Sequence, residues 1–333
     1  MRRRVLSRCE VLGTDAQVLE TTGERIMIVK VGGQLGLWLA LWLSMMCVET
    51  PLEATISPAE RQRIDKVLGS TGEYVATEDT YRFVFPSGDM KVVVQGREIP
   101  SFMGLESWAA FVSDPHHGGR MLVAELALLE GEVNPVLSAA LDNGLAITGI
   151  ADSYMFEEPR ILSMHISGLG DSVDLATKLQ RLRQIIKSIR TAHPKGPEKG
   201  AKDRVVLKND LDASELDSIL MTHGQSVHGM YKASMGMVGT IFGVPAGKQL
   251  GLRTWIAFAG TSQNAVTDGQ IIMTPDQVHN VLRALRERGM YVTALHNHFI
   301  DSNPEFYFVH FWGNGRAEVL AQSIRQVLQT QMK

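Results

Sequence analysis

Cysteine is almost missing from this chain: there are two, Cys9 and Cys47, and none from residue 48 onward. The body of the protein therefore has neither a disulfide framework nor thiolate chemistry. An excess of charge is missing too. The 36 Asp and Glu against 33 Lys and Arg give a net charge of -3. Without a basic face or a long like-charge block, a nucleic-acid partner is not expected. No apolar run is long enough for a comfortable membrane span. The Gly-rich stretch Gly236 to Gly247 lacks the Lys-Ser/Thr of a phosphate-binding loop, and no Gly-x-Ser-x-Gly elbow occurs, so neither a nucleotide site nor a serine nucleophile announces itself.

The first fifty residues read as targeting. Leu35 to Val48 is an apolar run of 14 residues, preceded by Arg25 and Lys30 and followed by small or polar residues up to Glu53-Ala54. That order is the one expected of a signal peptide. A membrane anchor and a buried helix are the competing readings. Residues 1–54 are thus assigned to targeting, with Met27 an alternative start, and the mature chain, cut near Ala54, carries no stable span. Export makes the compartment periplasmic or extracellular. Lipid anchoring through Cys47 is a second route, though Ser44-Met45-Met46 fit the small-residue processing pattern poorly.

The rest of the chain reads twice. Gly104 to Phe111 (GLESWAAF) recurs as Gly251 to Phe258 (GLRTWIAF), and Val133 to Leu145 recurs as Val278 to Met290. Pro159, His165, Gly168 and Gly170 match Pro304, His310, Gly313 and Gly315 at a constant offset of 145. A first repeat at 55–192 and a second at 205–333 follow, joined by a Pro/Gly/Lys linker at 193–204. Each repeat opens with a short helix (Pro58 to Leu68; Ala213 to Met221). Strands come next, then a second helix, a hairpin and an amphipathic C-terminal helix. In the second repeat Thr274, Pro275 and Gln277 supply helix start signals and Gly289 a stop. This order predicts an α+β fold, an antiparallel sheet with helices on one face in each half, of ferredoxin-like type. The two halves pack most simply as a pseudo-twofold pair, with their sheets separate or continuous.

The chemistry concentrates in Ala294 to Gly313. Two aromatic-rich runs flank a turn with Asn303-Pro304, which reads as a β-hairpin. Strand side chains alternate between faces, so His296 and His298 share one. His310 joins them if paired residue numbers sum to an even value, and 606 and 608 both fit the turn. Three imidazoles then bind a divalent transition metal (zinc, iron, copper or manganese) and leave positions open for water or a small-molecule substrate. Asp301 and Glu305 in the turn are the candidate proton handlers. The alternative is a non-catalytic ligand-binding or cell-envelope protein, with the histidines donating hydrogen bonds in an aromatic pocket between the halves. Packing alone is the third reading. His-Asn-His in one strand is not the HNH nuclease motif, whose residues are spread over a ββα unit.

The run ALHNHFIDSNPEFYFVHFWGNG, the paired GLxxWxAF strands and the EVNPVLSAALDNGL helix resemble the LppY/LpqO family of exported bacterial proteins and lipoproteins. The resemblance spans nearly all of residues 57–332. It implies an exported two-repeat protein and no established reaction. The first repeat departs from the family's hairpin motif: Ala151 and Ser153 stand where His296 and His298 do, and only His165 remains. That half is then scaffold, or it covers the site from the other side. His116-His117, His223 and His228 are weaker ligand candidates, and Met230, Met235, Met237 and Met273 raise a copper reading. Trp108 and Trp255, at equivalent places in the repeat, read as core.

Overall fold

Two six-stranded antiparallel sheets carry residues 55–332, one built by each repeat. The computed structural model describes residues 55–87, 90–116, 118–192 and 205–332, together with the backbone of strands at 5–11, 14–21 and 24–29. Those three strands form an antiparallel sheet in a unit of their own. The apolar run at 35–48, with Cys47 and the export signal read there, and the 193–204 linker lie outside the described residues. Among the described residues no helix is long and apolar enough to cross a membrane.

The first sheet runs, edge to edge, Ala146–Asp152, Ile161–Gly170, Arg120–Leu129, Ser107–Ser113, Thr80–Phe85 and Glu73–Val75. The second repeats that order with Tyr291–His296, Tyr307–Gly315, Ala265–Met273, Arg253–Gly260, Met230–Gly236 and Gln225–Val227. The sheets are separate. In each, one strand leads through a helix to an edge strand, and the following strand returns between the two. That is the split β-α-β of a ferredoxin-like unit. The strand on the far side, Ser107–Ser113 or Arg253–Gly260, enters from the front of the unit instead of its end.

Local chemistry sets the helices. Ser57 accepts from Glu60 N at 3.2 Å, Pro58 begins the first helix, Pro58–Leu68, and Gly69 closes it in the left-handed region. Asp212 caps its repeat, Ala213–Leu220. The helix expected from Thr274 starts later, at Val278, and runs to Glu287. Thr274 to Gln277 form a turn in which the Gln277 side chain accepts from Thr274 N at 3.0 Å. The long helix Ser172–Ala192 buries Leu175, Leu179, Leu182 and Ile186, and Ala317–Gln329 buries Leu320, Ile324 and Val327. These stripes cover one face of their own sheet and make a core in each half.

The other faces of the two sheets form two further cores, each mixing residues of both halves. Trp108, Ala110, Val112 and Val123 pack with Leu252, Phe299, Phe306 and Phe308. Met103, Leu105, Ala127 and Tyr154 pack with Trp255, Ala257, Val266 and Trp312. All nine residues of Ala265–Met273 are buried in consequence, as a strand covered on both faces must be. Each large apolar side chain closed off here contributes about 1.5–3 kcal/mol. Two small hairpins, Val92–Val94 with Arg97–Ile99 and Gly239–Ile241 with Val244–Ala246, also join these mixed cores. The cluster of histidines lies at this seam.

Candidate metal centre

The hairpin forms, with a register of its own. Ala294 lies opposite His310 and His296 opposite Phe308, so paired numbers in this stretch sum to 604 rather than 606 or 608, beyond a bulge after Val292 that separates it from pairs summing to 603. The parity is even, and His296 and His310 do share a face. The shift has a structural cause. The chain leaves the strand after His296, and Ser302–Asn303 are taken up by a third strand, Gly239–Ile241, which lengthens the excursion. His298 is therefore not a strand residue. It folds back, and its ring stacks on Phe308 at 3.6 Å between centroids and 5° between planes.

The first half supplies a fourth imidazole. His165 stacks on His298 at 3.9 Å and lies 5.7 Å from His296, centroid to centroid. His296 is 4.9 Å from His298 and 5.2 Å from His310, and His298 is 6.0 Å from His310. One ligand atom from each of His165, His296 and His298 lies within 4.8 Å of the others, a spacing that can hold a metal ion. Close approach of the two repeats depends on Gly149. A Cβ there would lie 3.0 Å from Asn297 O and 3.2 Å from the His165 ring. At the matching place the second half has Ala294.

The imidazoles are held neutral. Burial pulls His165 down to about 4 and His310 down to about 3; it also holds His296 and His298 below the ordinary range, His298 well below. Neutral imidazole is the ligating form. The Nε2 atoms of all four are buried with no hydrogen-bond partner. His296 Nδ1 lies 3.1 Å from Asn297 O, a carbonyl that only accepts, so Nδ1 carries the proton and Nε2 the lone pair.

A carboxylate stands beside them, but not either of those expected. Glu125 lies directly across from His165 on the neighbouring strand and across from Trp108 on the other side. Its Oε2 accepts from Trp108 Nε1 at 2.8 Å and its Oε1 from Ser163 Oγ at 3.1 Å. Burial pushes this carboxyl up. His165, the Trp108 and Ser163 donors and His310 outweigh burial and leave it below the ordinary range. Asp301 and Glu305 are exposed in the excursion, Glu305 accepts from Tyr307 Oη at 2.9 Å, and neither belongs to the converging group.

The remaining candidates fall elsewhere. His116 Nε2 meets Gly243 O at 3.1 Å, and His117 lies outside the described residues. His223 is exposed and meets Asp217 at 3.0 Å; His228 is exposed. Met230 and Met273 are buried in the cores, one in each of two clusters. Trp108 is core and also a donor to Glu125, which its place in the repeat did not reveal. The 145-residue offset did mark His165 as the partner of His310. It gave no sign that the two sheets face each other, which is what brings His165 to the site.

A family model described as Domain of Unknown Function (DUF1259) matches the chain twice, at residues 62–184 and 214–330, once per repeat. No curated protein matches the sequence significantly. Among solved structures, a trimeric bacterial microcompartment shell protein, PduB, is similar over 78% of this chain and 89% of its own at 10% identity. Its TM-score of 0.19 is too low to carry an argument.

Proposed function

We propose that this chain, which belongs to the family described as Domain of Unknown Function (DUF1259), binds one transition-metal ion through His165, His296 and His298, with His310 beside them. The observation that carries the reading is the set of four buried Nε2 atoms without partners. A buried polar atom with no partner costs about 1–3 kcal/mol, and an ion bound through these atoms would offset it. Zinc, iron and copper suit imidazole best, with manganese the weaker fit. Three nitrogen ligands leave a position for water or substrate, and a bound ion there would supply Lewis-acid or redox chemistry. Glu125, an ionised carboxylate that accepts from Trp108 and Ser163, is the acidic group beside the rings, in preference to Asp301 and Glu305. The substrate is a small molecule that enters past His296, the least buried of the four rings.

The run Leu35 to Val48 and the LppY/LpqO resemblance support an exported protein, and with it a site that works outside the cytoplasm. Elemental analysis of the untagged protein tests the metal. About one ion per chain is expected, lost in His296→Ala/His298→Ala and in His165→Ala while circular dichroism shows both variants folded. No metal in the wild type, even after reconstitution with zinc, iron, copper and manganese, would overturn the reading in favour of a non-catalytic binding protein.

A further inference from the structure

The seam between the halves holds two versions of one arrangement. Around Trp255, Lys232 Nζ lies 4.9 Å from the ring centroid and 3.7 Å from Glu106 Oε2, and it donates to Phe102 O at 2.9 Å. A cation from one half thus meets a carboxylate from the other over an indole. The repeat carries Trp255 onto Trp108 and Glu106 onto Arg253. The strand pairings Arg82 with Ala110 and Lys232 with Ala257 carry Lys232 onto Arg82. Around Trp108 the same three places therefore hold an indole and two guanidinium groups. Arg82 Cζ is 4.5 Å and Arg253 Cζ 5.5 Å from its ring centroid.

In the second version no carboxylate among the described residues is paired with either guanidinium. Arg82 donates one nitrogen to Gln249 O at 2.9 Å. The Arg253 guanidinium has no hydrogen-bond acceptor among the described residues. Glu125 and Glu106 are within electrostatic reach of both, Glu73 also of Arg82 and Glu78 of Arg253, yet Glu125 accepts from Trp108 and Ser163, Glu106 meets Lys232 and Glu78 accepts from Gln249 N. Burial, and in Arg82 the neighbouring Arg253, pull both guanidinium groups below their usual range. Trp108, which both arginines face, donates to Glu125, and Glu125 lies across from His165, which sets this pair on the histidine side of the seam.

We infer that Arg82 and Arg253, over the face of Trp108, form an oxyanion subsite that holds the carboxylate or phosphate group of a small molecule next to the four histidines. A guanidinium fork suits either group, and an anion there would supply the negative charge that Glu106 supplies in the other version. The inference rests on the metal reading for its purpose, since it names the class of substrate. Anion binding itself needs no metal, so the two can fail separately.

The test uses the full purified chain, freed of metal by chelation, with metal content checked on every sample. Thermal melts and titration calorimetry follow sodium phosphate and, separately, malonate at constant ionic strength. At least one anion is expected to bind the wild type and raise its Tm. Arg253→Met should weaken that binding at least about tenfold. Arg253→Glu should abolish it and, without anion, melt above the wild type, because it recreates the Lys232–Glu106 pairing. Binding of phosphate alone assigns a phosphate ester, and of malonate alone a carboxylate. If neither anion binds the wild type, or Arg253→Met keeps wild-type affinity, the subsite is wrong, whatever the metal content. Should Arg253→Glu fail to fold, Arg253→Met decides.

Discussion

Acidifying the metal-free protein gives a direct check on the buried imidazoles. His165 is 3% exposed and is held at about 4, against about 6.5 for an ordinary histidine in an unfolded chain. Above pH 6.5 the ring is neutral in both states and the shift costs nothing. Between about 6.5 and about 4 the unfolded chain takes up a proton that the folded protein refuses. Stability therefore falls as pH falls through this window, by about 1.4 kcal/mol per pH unit for one ring. Below about 4 both states are protonated and the loss stops, having reached about 3 kcal/mol. The perturbation that isolates this ring is His165→Phe, which keeps a planar ring to stack on His298 but cannot titrate. Urea unfolding of wild type and variant at pH 7.5, 6.5, 5.5 and 4.5 gives the two slopes. The wild type should lose stability faster below pH 6.5, by about 1 kcal/mol per pH unit relative to the variant. Parallel slopes across that range would show that His165 titrates normally, and the buried, uncharged cluster would then be refuted.

Phe308→Ala removes a fully buried ring and the surface on which His298 stacks, so it should cost about 3–5 kcal/mol in urea unfolding and reduce bound metal in elemental analysis. Gly149→Ala would set a methyl group 3.0 Å from Asn297 O and 3.2 Å from the His165 ring. Metal should be lost from this variant more sharply than stability, because the substitution acts on the approach of the two halves at the site. Tyr154→Phe deletes a hydroxyl that donates to Asp268 Oδ2 at 2.9 Å across the seam and also contacts Met103 O. It should cost about 1–3 kcal/mol in the same denaturation assay and leave metal content unchanged.

Much of this architecture could be read from the residues, because repetition is visible without a fold. The 145-residue offset between His165 and His310 survives as spatial equivalence: each faces a strand partner, Glu125 or Gln270, at the same offset. Helices with strong caps and stripes, such as Pro58–Leu68, were legible to the residue. What was not legible depends on contacts between distant segments. The hairpin register moved because Ser302–Asn303 pair with Gly239–Ile241, some sixty residues earlier in the chain. His165 and Glu125 entered the site because two sheets pack face to face, and no periodicity within one strand encodes that. Turn position alone favoured Asp301 and Glu305, whereas the carboxylate beside the rings sits in mid-strand.

The two repeats offer an internal control on whether the histidines are only packing. Where the second half has His298 stacked on Phe308, the first half has Ser153 bonded to Ser163 at 3.1 Å. Where the second half's seam has Trp255 capped by Lys232 and Glu106, the first half's has Trp108 under two arginines. In each comparison one version satisfies its polar atoms with its own side chains, so the fold can be closed at these positions by small, self-satisfied groups. Around the other version four ring nitrogens, that of His165 among them, stay without partners, and two guanidinium groups have no carboxylate paired with them among the described residues. At about 1–3 kcal/mol for each buried orphan, four would take a large share of the roughly 5–15 kcal/mol that holds a typical domain together. Stability gives no reason to prefer that version. Both sets of unsatisfied groups fall on the same side of the seam, the nitrogens suited to a cation and the guanidinium groups to an anion. A metal ion and an anionic small molecule bound side by side would satisfy both at once.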